Sequence, residues 1–331
     1  MLNEQFVVVG CGSIGRRHLG NLLRLGVRGA AGVDPSSEQR KRVEAEFGVP
    51  TFRDLASALK DGADAALICS PSSLHLEHAI EAAQARCHLF IEKPVAISLD
   101  GVDALLKEAA KHRLATLVGC NFRFTPGLRK AKQLLDEGSI GRVVSIRATF
   151  GQYLPEWHPL EDYRRGYSAQ KLLGGGVILD RIHEIDYVRW LGGEIKDVCA
   201  LAGHLSNLEI DTEDTAEILL RFEGGALGAV HLDYVRREYD CSVEITGTDG
   251  IIQWSYRPQR VRWYSAAESC WDTHEWSRYD GNEMYIEEMK HFLRVLDRKQ
   301  EAELGVAEGV RVLRIALAVQ QSAAERKVLS V

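Results

Sequence analysis

The sequence contains no apolar run that approaches the roughly 20 residues of a membrane-spanning helix, no C-x-x-C pair and no excess of positive charge. Each absence removes a class of protein. With 47 acidic against 41 basic residues and a formal net charge of -6, nothing draws the chain electrostatically toward nucleic acid or an anionic membrane surface. Seven cysteines, at 11, 69, 87, 120, 199, 241 and 270, lack both zinc-site spacing and a disulfide framework. Several lie in apolar runs, so they read as reduced core thiols of a cytoplasmic protein, and no metal site is expected. No charged-then-apolar leader opens the sequence, and there is no internal repeat, low-complexity tract or flexible linker. What remains is a chain of 331 residues, 45% hydrophobic and 27% charged, long enough for two domains with separate cores and suited to a small-molecule partner.

The first positive signal is Gly10-Cys11-Gly12-Ser13-Ile14-Gly15, which follows the apolar run Phe6-Val7-Val8-Val9 and precedes a helical stretch from Arg16 to Leu25. Strand, glycine turn and helix come in the order of a dinucleotide-binding unit. Gly10 permits the tight turn, Gly12 leaves room for a pyrophosphate, and Gly15 lets helix and strand pack closely. Amides at the N-terminus of the helix then meet the anion, and Ser13 and Ile14 of the turn are expected among the cofactor contacts. Asp34 ends a second apolar run, Gly29 to Val33, where a carboxylate can accept hydrogen bonds from an adenosine ribose and repel a 2'-phosphate. NAD is therefore expected ahead of NADP, although Ser36, Ser37 and Arg40 lie just beyond and could cradle a phosphate.

From residue 1 to about 120, short apolar runs (Phe6–Val9, Ala30–Val33, Ala65–Cys69, His88–Ile91, Thr116–Gly119) alternate with amphipathic stretches, Leu76 to Ala85 and Leu99 to Lys111, the second with a Ser98 cap. This predicts a doubly wound parallel sheet, a Rossmann domain over 1–120. After residue 120 longer alternating segments appear: 143–153, 215–222, 226–234, 241–246 and 250–254, joined by Gly-rich turns. They predict an α+β domain over 121–331 with a large, mostly antiparallel open sheet, closed by helices at 283–296 and 306–325.

Three segments carry chemistry. Glu92-Lys93-Pro94 ends the run Cys87 to Ile91, which puts a lysine at a strand end where it can face a nicotinamide. Ser70-Pro71 and His75 follow another strand and so belong to the carboxyl edge of the parallel sheet, where ligands bind. Gly174-Gly175-Gly176 opens a helical stretch in which Asp180 and His183, three apart, project from one side. Substrate contacts are expected from 152–171, which holds Tyr153, Trp157, His158, Tyr163, Arg164, Arg165, Tyr167 and Lys171, from Arg123 after the last strand of the first domain, and from Tyr234, Arg236 and Arg237. Rings and arginines of this kind suit a sugar and an anionic group, or an oligomer interface.

These motifs, with Asn121-Phe122-Arg123-Phe124 and the turn Glu244 to Gly250, resemble the Gfo/Idh/MocA family of glucose-fructose oxidoreductase, inositol dehydrogenase and rhizopine catabolism proteins. The resemblance spans nearly the whole chain. It implies a Rossmann domain followed by an open mixed sheet, a homodimer or homotetramer formed through that sheet, and NAD(P)-dependent oxidation or reduction of sugars, cyclitols or acidic and nucleotide-sugar derivatives. It also implies that the family's lysine, acid and histidine correspond to Lys93, Asp180 and His183, with His183 as general base. Most members place the histidine four residues after the acid. Here Glu184 holds that position, and the shorter spacing turns the ring by roughly 100° on a helix of about 3.6 residues per turn. The helix must shift, or Glu184 must share the role. Two further classes share the scaffold: a lyase, epimerase or glycosidase that holds NAD for transient oxidation, and a nucleotide-binding regulator.

Overall fold

The computed structural model describes residues 4–157 and 162–331. The chain divides into two compact units, the first Met1–Cys120 with Tyr285–Leu313, the second Asn121–Met284 with Arg314–Val331. The sequence pattern alone predicts a second domain unbroken from 121 to 331. The difference covers 285–313, where Met289 and Phe292 sit in the apolar cluster formed by Phe6, Val8, Leu67 and Phe90 of the first unit.

In the first unit, strands β1 (Phe6–Val9), β2 (Ala30–Val33), β3 (Thr51–Phe52), β4 (Ala65–Ile68), β5 (His88–Glu92) and β6 (Thr116–Gly119) alternate with helices α1 (Ser13–Arg24), α2 (Ser37–Phe47), α3 (Leu55–Gly62), α4 (His75–Gln84) and α5 (Val102–Lys111). Among the described residues the sheet is parallel, in the order β3-β2-β1-β4-β5-β6. Strands β1, β2 and β4 are buried along their whole length, as a parallel sheet covered on both faces requires. The order reverses between β1 and β4, and the register pairs Val9 with Ile68 and Ile68 with Ile91. That brings Gly10, Cys69 and Glu92 to one level at the carboxyl edge, the place where open α/β sheets bind ligands. Helix α5 begins later than the sequence predicts. Gly101, at φ 82°, precedes it, and Ser98 caps nothing in the helix but accepts the Asp100 amide at 3.2 Å.

The second unit is built on α6 (Pro126–Asp136), β7 (Val143–Gly151), α7 (Val177–Asp180), α8 (Ile182–Gly192), β8 (Ile195–Gly203), β9 (Thr215–Phe222), β10 (Leu227–Asp233), β11 (Asp240–Gly247), β12 (Gly250–Ser255), β13 (Arg260–Ser265) and β14 (Cys270–Glu275). Helices α9 (Glu283–Leu296) and α10 (Val306–Glu325) and a short β15 (Leu329–Ser330) follow. The described strands form one sheet in the order β14-β13-β12-β11-β7-β10-β9-β8-β15, antiparallel except where β10 runs beside β7. Alternation along β9, with Ala216, Ile218, Leu220 and Phe222 buried and Glu217, Leu219 and Arg221 exposed, gives the sheet one covered and one open face. Strands β8, β13, β14 and β15 go beyond what the sequence pattern predicts; β14 is exposed at every position, so no burial pattern marks it.

Candidate cofactor cradle and catalytic residues

At the carboxyl end of β1 each glycine of the turn has a distinct steric reason. Gly10 has φ +94°, and a Cβ there would lie 2.5 Å from the Cys69 carbonyl oxygen. At Gly15 a Cβ would lie 1.8 Å from the carbonyl oxygen of Gly10, so α1 can follow the turn this tightly only with glycine. Around Gly12 no atom beyond its own residue and its two chain neighbours comes within 4 Å of a built Cβ, so the backbone is open beside the first turn of α1. The first amides of a helix have no partner inside it, and Ser13 is exposed and Ile14 half-buried there.

Asp34 lies directly after β2, its Oδ2 accepting the Cys11 amide at 2.8 Å and its Oδ1 the Ser36 amide at 2.8 Å. The carboxylate is thus fixed against the glycine turn, where it suits a ribose diol. The phosphate-cradling alternative loses two of its members. Arg40 donates to the carbonyls of Asp34 and Pro35 at 2.7 and 3.0 Å, and the Ser36 hydroxyl accepts the Gln39 amide at the start of α2. Both favour NAD over NADP. Burial and the neighbouring Asp34 carboxylate push the Cys11 thiol up to about 12, so it stays protonated and inert in the cradle.

Lys93 is half-buried at the end of β5. Two neighbours expected to touch the cofactor turn inward instead. Glu92 is 8% exposed, with Oε1 2.6 Å from His18 Nε2 and Oε2 accepting the Lys93 amide at 3.3 Å. His75 opens α4, 2% exposed, with Nδ1 2.7 Å from the Pro94 carbonyl oxygen and Nε2 2.8 Å from that of Ser70. Pro71 precedes a single 3-10 turn, Ser72–Leu74, and the Ser70 hydroxyl lies 3.0 Å from His78 Nδ1.

In the second unit the stretch after the triple glycine is not one helix. It breaks at Arg181 (φ -98°, ψ 34°), so Asp180 ends α7 and His183 lies in the first turn of α8. The three-residue spacing therefore does not place them on one continuous helical face. Asp180 is 1% exposed and takes the hydroxyls of Tyr167, of Ser168 at 2.8 Å and of Tyr234 at 2.9 Å. Burial first, then the Asp180 charge, hold the Tyr234 phenol well above its ordinary range, so it donates to Asp180 at any physiological pH. Ser168 has no sequence signal; only the fold brings it to Asp180. His183, 5% exposed, packs on the Phe122 ring with centroids 5.0 Å apart.

Glu184, the substitute candidate, is fully buried and held by Arg181 through contacts of 3.2 and 2.8 Å. Arg181 in turn lies 3.5 Å from the Phe150 ring centroid. The Glu184 carboxylate is thus engaged by the Arg181 guanidinium. Arg123 points its fork at Asp186, with bonds of 2.8 and 2.7 Å, and is 4% exposed. Both groups are buried and mutually satisfied, so direct substrate contact by Arg123, as expected, is not what the geometry presents.

The remaining substrate candidates are spread over the unit. Trp157 packs edge-to-face on Phe150 and Tyr234, at 5.9 and 5.4 Å. Tyr153 lies under the Arg237 guanidinium at 3.5 Å. Arg164 is exposed and bound to Asp162 and Glu209 at 2.8 and 3.0 Å, while Arg236 pairs with Asp240 at 3.2 Å. His158 lies outside the described residues.

Comparison with known proteins matches both parts of the chain. Residues 5–120 match a family described as an oxidoreductase family with an NAD-binding Rossmann fold, and residues 128–253 match the GFO/IDH/MocA C-terminal domain. An uncharacterized oxidoreductase of Bacillus subtilis, YrbE, is 33% identical over 96% of this chain and 93% of its own length. Myo-inositol 2-dehydrogenase of Thermotoga maritima is 30% identical over 97% of this chain and 96% of its own. Among solved structures, levoglucosan dehydrogenase in complex with NADH has a TM-score of 0.90 at 24% identity, covering 100% of this chain and 99% of that one, a likeness of fold. The glycine cradle, the Glu-Lys-Pro strand end and these full-length relatives together show that the chain belongs to the Gfo/Idh/MocA family of oxidoreductases.

Proposed function

We propose that this protein is an NAD-dependent dehydrogenase that moves a hydride between nicotinamide and a secondary hydroxyl of a neutral sugar or cyclitol. The carrying observation is the Asp34 carboxylate, locked by two amides beside a glycine turn with open space over Gly12. Bound NAD supplies the hydride acceptor. Gly10, Gly12, Ser13, Ile14 and Asp34 hold it, with Ser70 and Pro71 at the same sheet edge. His183 takes the hydroxyl proton as general base, and Lys93 donates a hydrogen bond to that oxygen as negative charge develops on it. Asp180 orients the reacting group through the hydroxyls of Tyr167, Ser168 and Tyr234.

Of the cationic candidates, Arg164, Arg236 and Arg237 already face carboxylates of the same unit, which favours an uncharged polyol. The myo-inositol 2-dehydrogenase relative acts on such a compound. Cysteines that form no disulfide among the described residues suit a reducing cytoplasm. Leu201, Leu219 and Leu227, 66%, 60% and 60% exposed on neighbouring strands of the open sheet face, support a homodimer or homotetramer through that face; light scattering that finds only monomer would count against this.

The test is NADH formation by purified protein with NAD and NADP separately, across inositols, anhydrosugars, hexoses, uronic acids and nucleotide sugars. Substrate-dependent, stoichiometric NADH with a neutral polyol is expected, and Lys93→Ala or His183→Ala should lower kcat by ~10^2 to 10^4. Turnover without net NADH would instead indicate transient oxidation on retained NAD. Activity within a few fold of wild type in both variants would remove their assigned roles.

A further inference from the structure

Lys93 lies between two residues, each held by a buried histidine. On one side is Glu92, whose carboxylate stays inside the first unit: His18 Nε2 is 2.6 Å from Oε1, and a Cβ at Gly119 would come 3.1 Å from the same oxygen. His18 is fully buried on α1, edge-to-face with Phe90 and Tyr285 at 4.8 and 5.9 Å. Its Nδ1 has no hydrogen-bond partner among the described residues. If this site served packing alone, an apolar side chain would fill it without burying an unsatisfied nitrogen. The bond to Glu92 is what the imidazole adds.

On the other side is Pro94, whose carbonyl oxygen faces His75 Nδ1 at 2.7 Å while Nε2 faces the Ser70 carbonyl at 2.8 Å. Burial depresses the His75 pKa below its ordinary 6.5 more strongly than the two carbonyls raise it. The neutral ring therefore has one N-H to donate, and either tautomer ties α4 to a carbonyl at the carboxyl edge of the sheet.

We propose that His18 and His75 are positioning residues for Lys93, His18 acting through Glu92 and His75 through Pro94. They fasten the lysine to α1, which carries the glycine turn, and to the Ser70 segment. This rests on the reading of Lys93 as the donor to the reacting oxygen. A misplacement of about 1 Å at such a group costs on the order of 10^2 in rate, so side chains that never touch substrate can govern turnover.

The experiment uses the full chain with NAD and compares His18→Leu, His18→Gln and His75→Leu with Leu19→Ala, a buried core change on the same helix that leaves Glu92 held. Both leucine variants should lower kcat by about 10- to 100-fold with KM for NAD and NADH affinity within about 3-fold. His18→Gln, which retains an amide donor, should recover much of that loss, and Leu19→Ala should lower thermal stability without lowering kcat. Independently of turnover, hydrogen exchange at the Lys93 amide should accelerate about 10-fold in His18→Leu, because its acceptor Glu92 loses its anchor. Unchanged exchange, or a kcat loss no larger than in Leu19→Ala, overturns the proposal. If wild-type protein turns over no substrate, the dehydrogenase reading fails while the exchange measurement still decides the clamp; if His18→Leu does not fold, Glu92→Gln takes its place in both measurements.

Discussion

A methyl group at Gly15 would lie 1.8 Å from the carbonyl oxygen of Gly10, and the obstacle is backbone, which cannot swing aside as a side chain can. Gly10 and Gly15 are therefore constrained by contact distances, whatever the turn binds. Gly15→Ala should push α1 off the turn and weaken NADH binding at least about 10-fold, since helix N-terminal amides hold an anion only when aimed at it; fluorescence titration with NADH measures this, and unchanged affinity would show that the close approach is dispensable. The glycines and Asp34 were legible in the sequence because each answers to local geometry. His18 was not. It is one polar residue in an amphipathic helix, and only the pairing of β5 beside β4 brings Glu92 to it.

At the scale of elements, the break between α7 and α8 decides how Asp180 and His183 are presented. Periodicity runs unbroken across Val177 to Leu191, since Ile178, Ile182 and Ile185 are all buried, so no sequence signal marks the break at Arg181. Arg181 spends its side chain on Glu184 and the Phe150 ring. Removing one partner of such a buried pair strands the other charge, and Glu184→Ala should destabilise the protein by about 3–5 kcal/mol. Urea unfolding reads that loss; a change below about 1 kcal/mol would mean that solvent reaches Arg181 and screens it. The strands tell a similar story. Apolar alternation marked β9 and β11, whereas β14 has no buried face and forms by pairing with β13.

For the whole molecule the histidines set opposing pH dependences. Burial holds His75, His78 and His88 below the ordinary 6.5, so the unfolded chain takes up these protons first, and the stability of the first unit is full above pH 6.5 and falls as pH drops below it. His231 runs the other way. Asp233, 2.9 Å away, and Glu217, 2.7 Å away, raise its pKa, so its contribution to the second unit is full below pH 6.5 and is lost as pH rises through its folded value. Melting curves from pH 5 to 8 should show the Rossmann unit losing stability toward the acid end, with His231→Gln reducing stability most below about pH 6.5 and least at pH 8; a first unit indifferent to pH across this range would contradict the burial argument.

The sequence by itself determined the parallel-then-antiparallel change of sheet, NAD as the cofactor and the family. These follow from short-range rules: glycine sterics, strand alternation and charge beside a phosphate. Tertiary structure alone decided that Glu92 and His75 face inward, that Ser168 and two tyrosines surround Asp180, that Arg123 is bound to Asp186 and that 285–313 belongs to the first unit. Each depends on which distant groups share a low-dielectric interior. There an unpaired charge or amide is costly, so the partner available in space, more than the residue type, sets what a side chain does.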